Sequence, residues 1–136
     1  TLILVISALF IFNLNSNKVS TKIGDYGYLN EIYSKENEIN FYINDIMEGV
    51  VSKIDKNQDI KDEFIKYFKK QLAKYKTDNV FYVKELEQLE SQLNKDNIEY
   101  INKNIKIKFS LHFEKRFEDN IIIVHSYVKE FERVLV

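Results

Sequence analysis

The spacing of hydrophobic residues changes once along this chain, near Asn97, and this change limits the folds that it can adopt. Before Asn97, apolar residues recur every three or four positions, as in helices that bury one face. After it, apolar and polar residues alternate, as in strands with one buried face. We therefore predict an α+β fold, with a helical region over 18–97 and a small antiparallel sheet over 98–136.

Composition removes several classes of protein from consideration. The 136 residues include no Cys, which excludes disulfides and thiolate metal sites, and a net charge of −1 gives no basic footprint for nucleic acid. Pro is absent and Gly occurs three times, so few residues break an element and long elements are expected. With 45% hydrophobic residues, the chain can form a substantial core.

Two long amphipathic helices are predicted. The first runs from about Asn30 to Asp55, and the glycines at 24 and 27 predict a bend or break before it. The second begins after Asp59, which can accept backbone N–H groups as an N-cap. The expected buried positions of the first helix are Ile39, Ile43, Ile46, Val50 and Ile54, and those of the second are Ile60, Phe64, Phe68, Leu72 and Tyr75.

A third helix is predicted over Tyr82–Leu93, with Leu86, Leu89 and Leu93 on its buried side. The alternative is a brief strand at Val80–Val83 before the helix, because these residues are β-branched or aromatic.

The alternation after Asn97 predicts strands at Ile98–Ile101 and over 105–114, joined by a turn at 102–104, and a partner strand over 121–129. The register of the partner strand stays open, because a shift by one residue exchanges its two faces. One register buries Ile122, Val124 and Val128, and the other buries Ile121, Ile123, His125 and Tyr127. Residues 131–136 either extend the sheet after a bulge or form a tail.

No charged residue precedes Lys18, and most of the first 14 residues are apolar. A membrane-spanning helix needs about 20 residues, with about 17 as its lower limit. We predict a single-pass membrane anchor over 1–17, followed by one head domain over 18–136. A buried core helix and the remainder of a secretion signal are the alternatives. The residues predicted to contact lipid or other helices are Leu2, Ile3, Leu4, Val5, Ile6, Leu9, Phe10, Ile11, Phe12 and Leu14.

Three sequence patterns resemble chemical sites. Asp55, Asn57 and Asp59 begin like a calcium loop, but Ile60 and Lys66 occupy its Gly and Glu positions, so we expect a turn with an N-cap. His112 and His125 do not complete a zinc site, and we expect His125 to be a hydrogen-bonded structural residue.

A Ser110–His125–Glu114 triad has nothing in the sequence that brings its members together. We therefore assign no catalytic, cofactor-binding or metal-binding residue and predict that the protein is not an enzyme. The lysines from Lys66 to Lys76 are expected to form a solvated face, with contact to anionic lipid as the alternative.

The opening Thr1-Leu2-Ile3, the apolar segment and the long helix after it resemble type IV pilins and pilin-like proteins over about the first third of the chain. The absence of an initial Met suits removal of a leader in such a family. The resemblance implies an anchor that packs against like helices and a head displayed outside the membrane. Leu4 stands where the family usually has a Glu that neutralises a neighbouring subunit's N-terminus. This departure leaves an initiating, accessory or tethered role.

These observations predict a membrane-anchored, non-enzymatic structural or interaction protein. Its expected partners are the lipid bilayer and a protein, or a second copy of the chain, that packs against the N-terminal helix. The alternative function is a membrane-tethered sensory or ligand-binding domain.

Overall fold

A computed structural model describes residues 26–117 and 120–136 of the chain. Its elements confirm the predicted α+β class, and the predicted anchor over 1–17 lies outside the described residues. In chain order the elements are α1 (Tyr26–Val51), α2 (Ile60–Leu72), β1 (Lys76–Thr77), β2 (Val80–Phe81), α3 (Glu87–Glu90), β3 (Ile98–Ile101), β4 (Asn104–Phe117) and β5 (Ile121–Val134).

Helix α1 buries the apolar stripe that the sequence predicts. Ile39, Ile43 and Val50 are fully buried, as expected from their spacing. The helix already includes Gly27 and ends at Val51, so it begins and ends earlier than predicted. The predicted bend is therefore absent between residues 26 and 30. A single glycine costs about 1 kcal/mol in a helix, which the packing of a long amphipathic helix can offset.

Helix α2 begins as predicted. The side chain of Asp59 accepts a hydrogen bond from the backbone N–H of Asp62, with 3.0 Å between Oδ1 and N. Acidic residues occupy the first turn and basic residues the last, an arrangement that complements the helix dipole. Phe64, Phe68 and Leu72 are fully buried along the predicted stripe.

The segment after α2 differs from the predicted third helix. Thr77 pairs with Val80 in a two-stranded hairpin, and the two turn residues, Asp78 and Asn79, have φ values of 52° and 64°. Asp and Asn tolerate this left-handed conformation, which a tight hairpin turn requires. The alternative of a brief strand before the helix is therefore correct, although the strand ends at Phe81 and α3 has four residues.

The three-stranded antiparallel sheet has the order β3-β4-β5, so β5 lies at one edge. Ile98 pairs with Ile107 and Ile101 pairs with Asn104, so the turn consists of Asn102 and Lys103. Both turn residues have positive φ, at 52° and 64°. Strand β4 continues to Phe117, beyond its predicted end.

Strand β5 adopts the second of the two predicted registers, because Ile121, Ile123, His125 and Tyr127 are buried. The same alternation continues through Phe131 to Leu135, and the strand itself continues to Val134, so the sheet extends without a shift of face. Lys129 occupies a position of the buried set but is exposed, with its Nζ 5.8 Å from the centroid of the Phe131 ring.

The chain divides into two compact units. Among the described residues, the first unit comprises 26–38, 110–117 and 120–128, and the second comprises Ile39–Phe109 and Lys129–Val136. In the second unit, four phenylalanine rings join α2 to the sheet. The ring centroids of Phe68 and Phe109 are 5.6 Å apart, and those of Phe109 and Phe131 are 6.1 Å apart. Phe64 extends this cluster, 5.6 Å from Phe68.

Candidate functional site

The most unusual polar arrangement lies inside the first unit. His125 on β5 is fully buried, and its Nε2 lies 3.2 Å from Oε2 of Glu36 on α1. Glu36 is itself 7% exposed. The His125 ring packs against Phe113 and Tyr127, at centroid distances of 5.3 and 5.7 Å. A buried histidine paired with a buried carboxyl, between aromatic rings, is the candidate functional site of the described residues.

Burial determines the protonation state of His125. Removal of the ring from water lowers the pKa of His125 from 6.5 to about 4, because water stabilises the charged imidazolium. The ring is therefore neutral at pH 7. A neutral ring that carries its proton on Nε2 donates to Glu36, and the prediction of a hydrogen-bonded structural histidine is confirmed.

The second ring nitrogen of His125 has no hydrogen-bond partner among the described residues. A buried polar atom without a partner destabilises a fold by about 1–3 kcal/mol. In the neutral tautomer described above, Nδ1 is an unprotonated acceptor. Nδ1 can therefore take up a proton if the ring moves into water. Full burial of the ring argues against contact with a substrate in this conformation.

The other chemical arrangements that the sequence suggests, and that we did not assign as sites, do not assemble. His112 is exposed and His125 is buried, on opposite faces of their strands, so they do not converge on a metal. Ser110 and Glu114 share the exposed face with His112, which separates them from His125. Within residues 26–117 and 120–136, no group of three or more His, Asp or Glu side chains could hold a metal ion.

The loop that resembles a calcium site is a turn and a helix cap, as predicted. Asp55 Oδ1 accepts from the backbone N–H of Asn57 at 2.9 Å, which closes a local turn. The Lys95 ammonium lies 3.3 Å from Asp59 Oδ2 and 2.8 Å from Asp62 Oδ2. The hydrogen bond from the backbone N–H of Asp62 lowers the pKa of Asp59, and the hydrogen bond from the Lys95 side chain lowers it further. An ammonium group therefore contacts Asp59, one of the two carboxylates that a calcium ion would need in this loop.

The basic run along α2 is partly neutralised. Lys66 pairs with Glu63 at 2.8 Å, and this carboxylate raises the pKa of Lys66. Lys76 pairs with Glu90 at 2.7 Å. Lys69, together with Lys70 and Lys74, is exposed, so the run remains a solvated face.

A group of partly exposed aromatic residues in the second unit is not evident from the sequence. This aromatic patch consists of Phe41, Tyr42, Tyr75 and Tyr82. Phe41 and Tyr82 are 67% and 68% exposed. The rings of Tyr42 and Tyr75 are 5.5 Å apart, and the Tyr82 backbone N–H donates to the Tyr75 carbonyl. The patch could not be found from spacing, because Phe41 and Tyr42 lie on α1, whereas Tyr75 and Tyr82 flank a hairpin that the sequence only partly predicts.

Tyr75 also contacts a carboxylate. Its hydroxyl donates to Asp45 Oδ2. Partial burial, reinforced by the Asp45 carboxylate, raises the pKa of Tyr75 to about 12. The phenol therefore remains protonated and acts as a donor throughout the physiological range.

A surface hollow of about 400 Å³ lies beside the β3–β4 turn. Its lining residues are Glu99, Ile101, Asn102, Asn104 and Lys106. Small-molecule sites commonly have volumes of about 300–1,000 Å³ but a mainly apolar lining, whereas this lining is mainly charged and amide.

The residues predicted to contact the membrane, Leu2–Leu14, lie outside the described part of the chain. Among residues 26–117 and 120–136, the structure contains no helix with the length and apolar character needed to cross a membrane. Comparisons of the chain with protein-family models, with curated proteins and with solved structures found no match.

Proposed function

We propose that this chain is a membrane-anchored, non-enzymatic structural or interaction protein of the pilin-like kind, with its head outside the membrane. The observation that carries the proposal is the uncharged segment over 1–17, in which Leu2–Leu14 is almost continuously apolar. In a chain with 30% charged residues, such a segment is favoured in lipid or against another apolar helix. The segment would hold the protein at the bilayer and pack against a like helix or a partner.

The packing of the head supports an interaction role. Four phenylalanines, Phe64, Phe68, Phe109 and Phe131, fill the interior of the second unit and are at most 2% exposed. A filled interior suits a domain that presents its surface to a partner. The exposed aromatic patch in the same unit supplies residues of the types that are enriched at protein interfaces.

Membrane retention can be tested on the full chain. Membranes from expressing cells are washed with alkaline carbonate, and the chain is detected in the pellet or the supernatant. Replacement of Leu9 and Phe12 by Lys keeps the length but adds a cost of about 2.5–3.5 kcal/mol per charge within the bilayer. We expect the wild-type chain in the pellet and the double variant in the supernatant.

A matched control replaces Asn13 and Asn15 by Gln, which keeps the segment uncharged and should leave the chain in the pellet. A chain that starts at Lys18 should also leave the pellet. Release of the wild-type chain by carbonate, or retention of the doubly charged variant, would contradict membrane anchoring.

Lateral packing of the anchor needs a separate test. Because the chain has no cysteine, a single Phe10→Cys variant places one thiol within the apolar segment. We expect oxidation to form disulfide-linked dimers in membranes, and Ser91→Cys serves as an exposed control in the head, outside the aromatic patch. Equal or weaker dimer formation by Phe10→Cys would argue against packing through the segment.

A membrane-tethered ligand-binding domain is the second candidate, and the hollow beside the β3–β4 turn favours it. Its charged lining, which includes Glu99 and Lys106, suits a small polar ligand. A thermal-shift screen of charged metabolites, with Lys106→Gln as the control, tests this function. A shift that the variant abolishes would favour ligand binding over assembly.

A further inference from the structure

The Glu36–His125 pair has the geometry of a proton-sensitive contact. Both residues, and the two aromatic rings that enclose the histidine, belong to the first unit. Glu36 comes from α1, Phe113 from β4, and Tyr127 from β5. Of these three neighbours, Glu36 contributes a carboxyl group, Tyr127 a phenol, and Phe113 no titratable group.

Protonation of His125 would conflict with this packing. A second proton would sit on Nδ1, where the described residues offer no acceptor. The Glu36 carboxyl faces Nε2, on the other side of the ring, and cannot accept from Nδ1. The Glu36 carboxyl attracts the imidazolium through Nε2, but the new N–H on Nδ1 would be a buried donor without a partner, and removal of the ring from water outweighs the attraction, because it lowers the pKa of His125. Movement of the ring into water relieves this conflict, and such movement separates β5 from α1.

We propose that the Glu36–His125 pair is an acid-sensitive latch, which closes the first unit at neutral pH and opens it in mild acid while the second unit stays folded. Opening would expose the inner face of the β4–β5 hairpin in the first unit. That face carries Leu111, Phe113, Ile121, Ile123 and Tyr127. Acid would thereby reveal an apolar surface that is hidden at pH 7.

The distribution of histidines confines this response to one unit. The chain has two histidines, His112 and His125, and both lie within Ser110–Val128. Carboxyl groups ordinarily titrate near pH 4, about two units below histidine. Between pH 6.5 and pH 5, proton uptake by histidine should therefore act on the first unit alone.

The direction of the response follows from proton linkage. The pKa of His125 is about 4 in the closed form and returns toward 6.5 when the ring is in water. Between these values the open form binds one proton more than the closed form, so acidification favours opening. The open population should rise tenfold per pH unit, up to about 300-fold over the whole interval.

Hydrogen exchange of the full chain, followed by mass spectrometry from pH 7 to pH 4.5, tests the latch. Rates are corrected for the intrinsic pH dependence of exchange. We expect peptides from 26–38 and 120–128 to lose protection as the pH falls below 6.5. Their corrected exchange rates should rise about tenfold per pH unit, as uptake of one proton requires. Peptides from α2 should keep their protection to about pH 5. Equal loss in both units, no loss above pH 5, or a slope of two or more protons would overturn the proposal.

Variants identify the responsible group. His125→Gln cannot be protonated in this range and can still donate to Glu36, so its exchange should not change between pH 6.5 and pH 5. His112→Gln removes the exposed histidine and should respond like the wild type. If His125→Gln does not fold, the pH dependence of exchange in the wild-type chain, and its restriction to peptides of the first unit, test the latch. A response that His112→Gln abolishes would refute the assignment to His125.

Discussion

Replacement of Phe109 by Ala should destabilise the second unit more than truncation of any exposed aromatic residue in it. Phe109 is fully buried on β4, between Phe68 of α2 and Phe131 of β5. Its contacts therefore join a helix to two strands, and loss of the ring would leave a cavity at their meeting point.

The magnitude follows from burial and ring geometry. Truncation of a buried Phe to Ala costs about 3–5 kcal/mol, which combines lost transfer energy with the cavity. The two ring distances, 5.6 and 6.1 Å, lie in the range where aromatic pairs add about 0.5–1.5 kcal/mol each. We therefore expect a loss of about 4 kcal/mol, a large share of the roughly 5–15 kcal/mol that stabilises a typical domain.

Urea unfolding followed by circular dichroism measures this loss. Phe41→Ala is the matched control, because it removes the same side chain at a position that is 67% exposed, and it should change stability by about 0.5 kcal/mol or less. A loss below about 1 kcal/mol for Phe109→Ala, or equal losses for the two variants, would refute the packing argument. A double-mutant cycle with Phe68→Leu and Phe109→Leu should give a coupling of about 0.5–1.5 kcal/mol.

Three further predictions concern charged and titratable groups. The free energy of unfolding of the first unit should fall by about 3 kcal/mol as the pH falls from 6.5 to about 4, because His125 binds a proton when it is in water but not when it is buried, and subtraction of His125→Gln data isolates this contribution. Asp59→Ala should lower the midpoint of thermal unfolding more than Asp59→Asn, since Asn keeps an oxygen that can cap α2. Neither calcium nor a chelator should shift the midpoint of the wild-type chain. In an ultraviolet titration, one tyrosine should ionise at about pH 12, and Tyr75→Phe should remove this step, whereas earlier ionisation of Tyr75 would contradict its contact with Asp45.

The parts of the fold that the sequence predicts are those set by local patterns. Helices α1 and α2 carry apolar residues at helical spacing over many turns, so their buried faces are unambiguous. The Asp59 cap depends only on residues within one helical turn, so it too can be predicted from the sequence. The third helix is shorter than predicted, at Glu87–Glu90, and a hairpin forms before it because Asp78 and Asn79 adopt positive φ.

The register of β5 and the candidate site depend on distant contacts. Both faces of β5 begin with isoleucines, so hydrophobicity alone could not choose between Ile121 and Ile122. The register places His125 inside, where it meets Glu36, 89 residues earlier in the chain. Glu36 lies on the buried stripe of α1, four residues after Ile32 and three before Ile39, but its charge argues for an exposed position, because charged residues on a helix usually face water. Only the folded arrangement shows that it has a partner.

Lys129 has a consequence for how the protein behaves at high concentration. It stands on the edge strand β5, at a position where alternation would place an apolar residue, and it follows Val128, which is 59% exposed. A charge at such a position discourages a second β-strand from docking alongside and so protects against fibril growth. Lys129→Val would join Tyr127, Val128 and Phe131 in a nearly uncharged stretch, and we expect the variant to form thioflavin-positive aggregates sooner than the wild type.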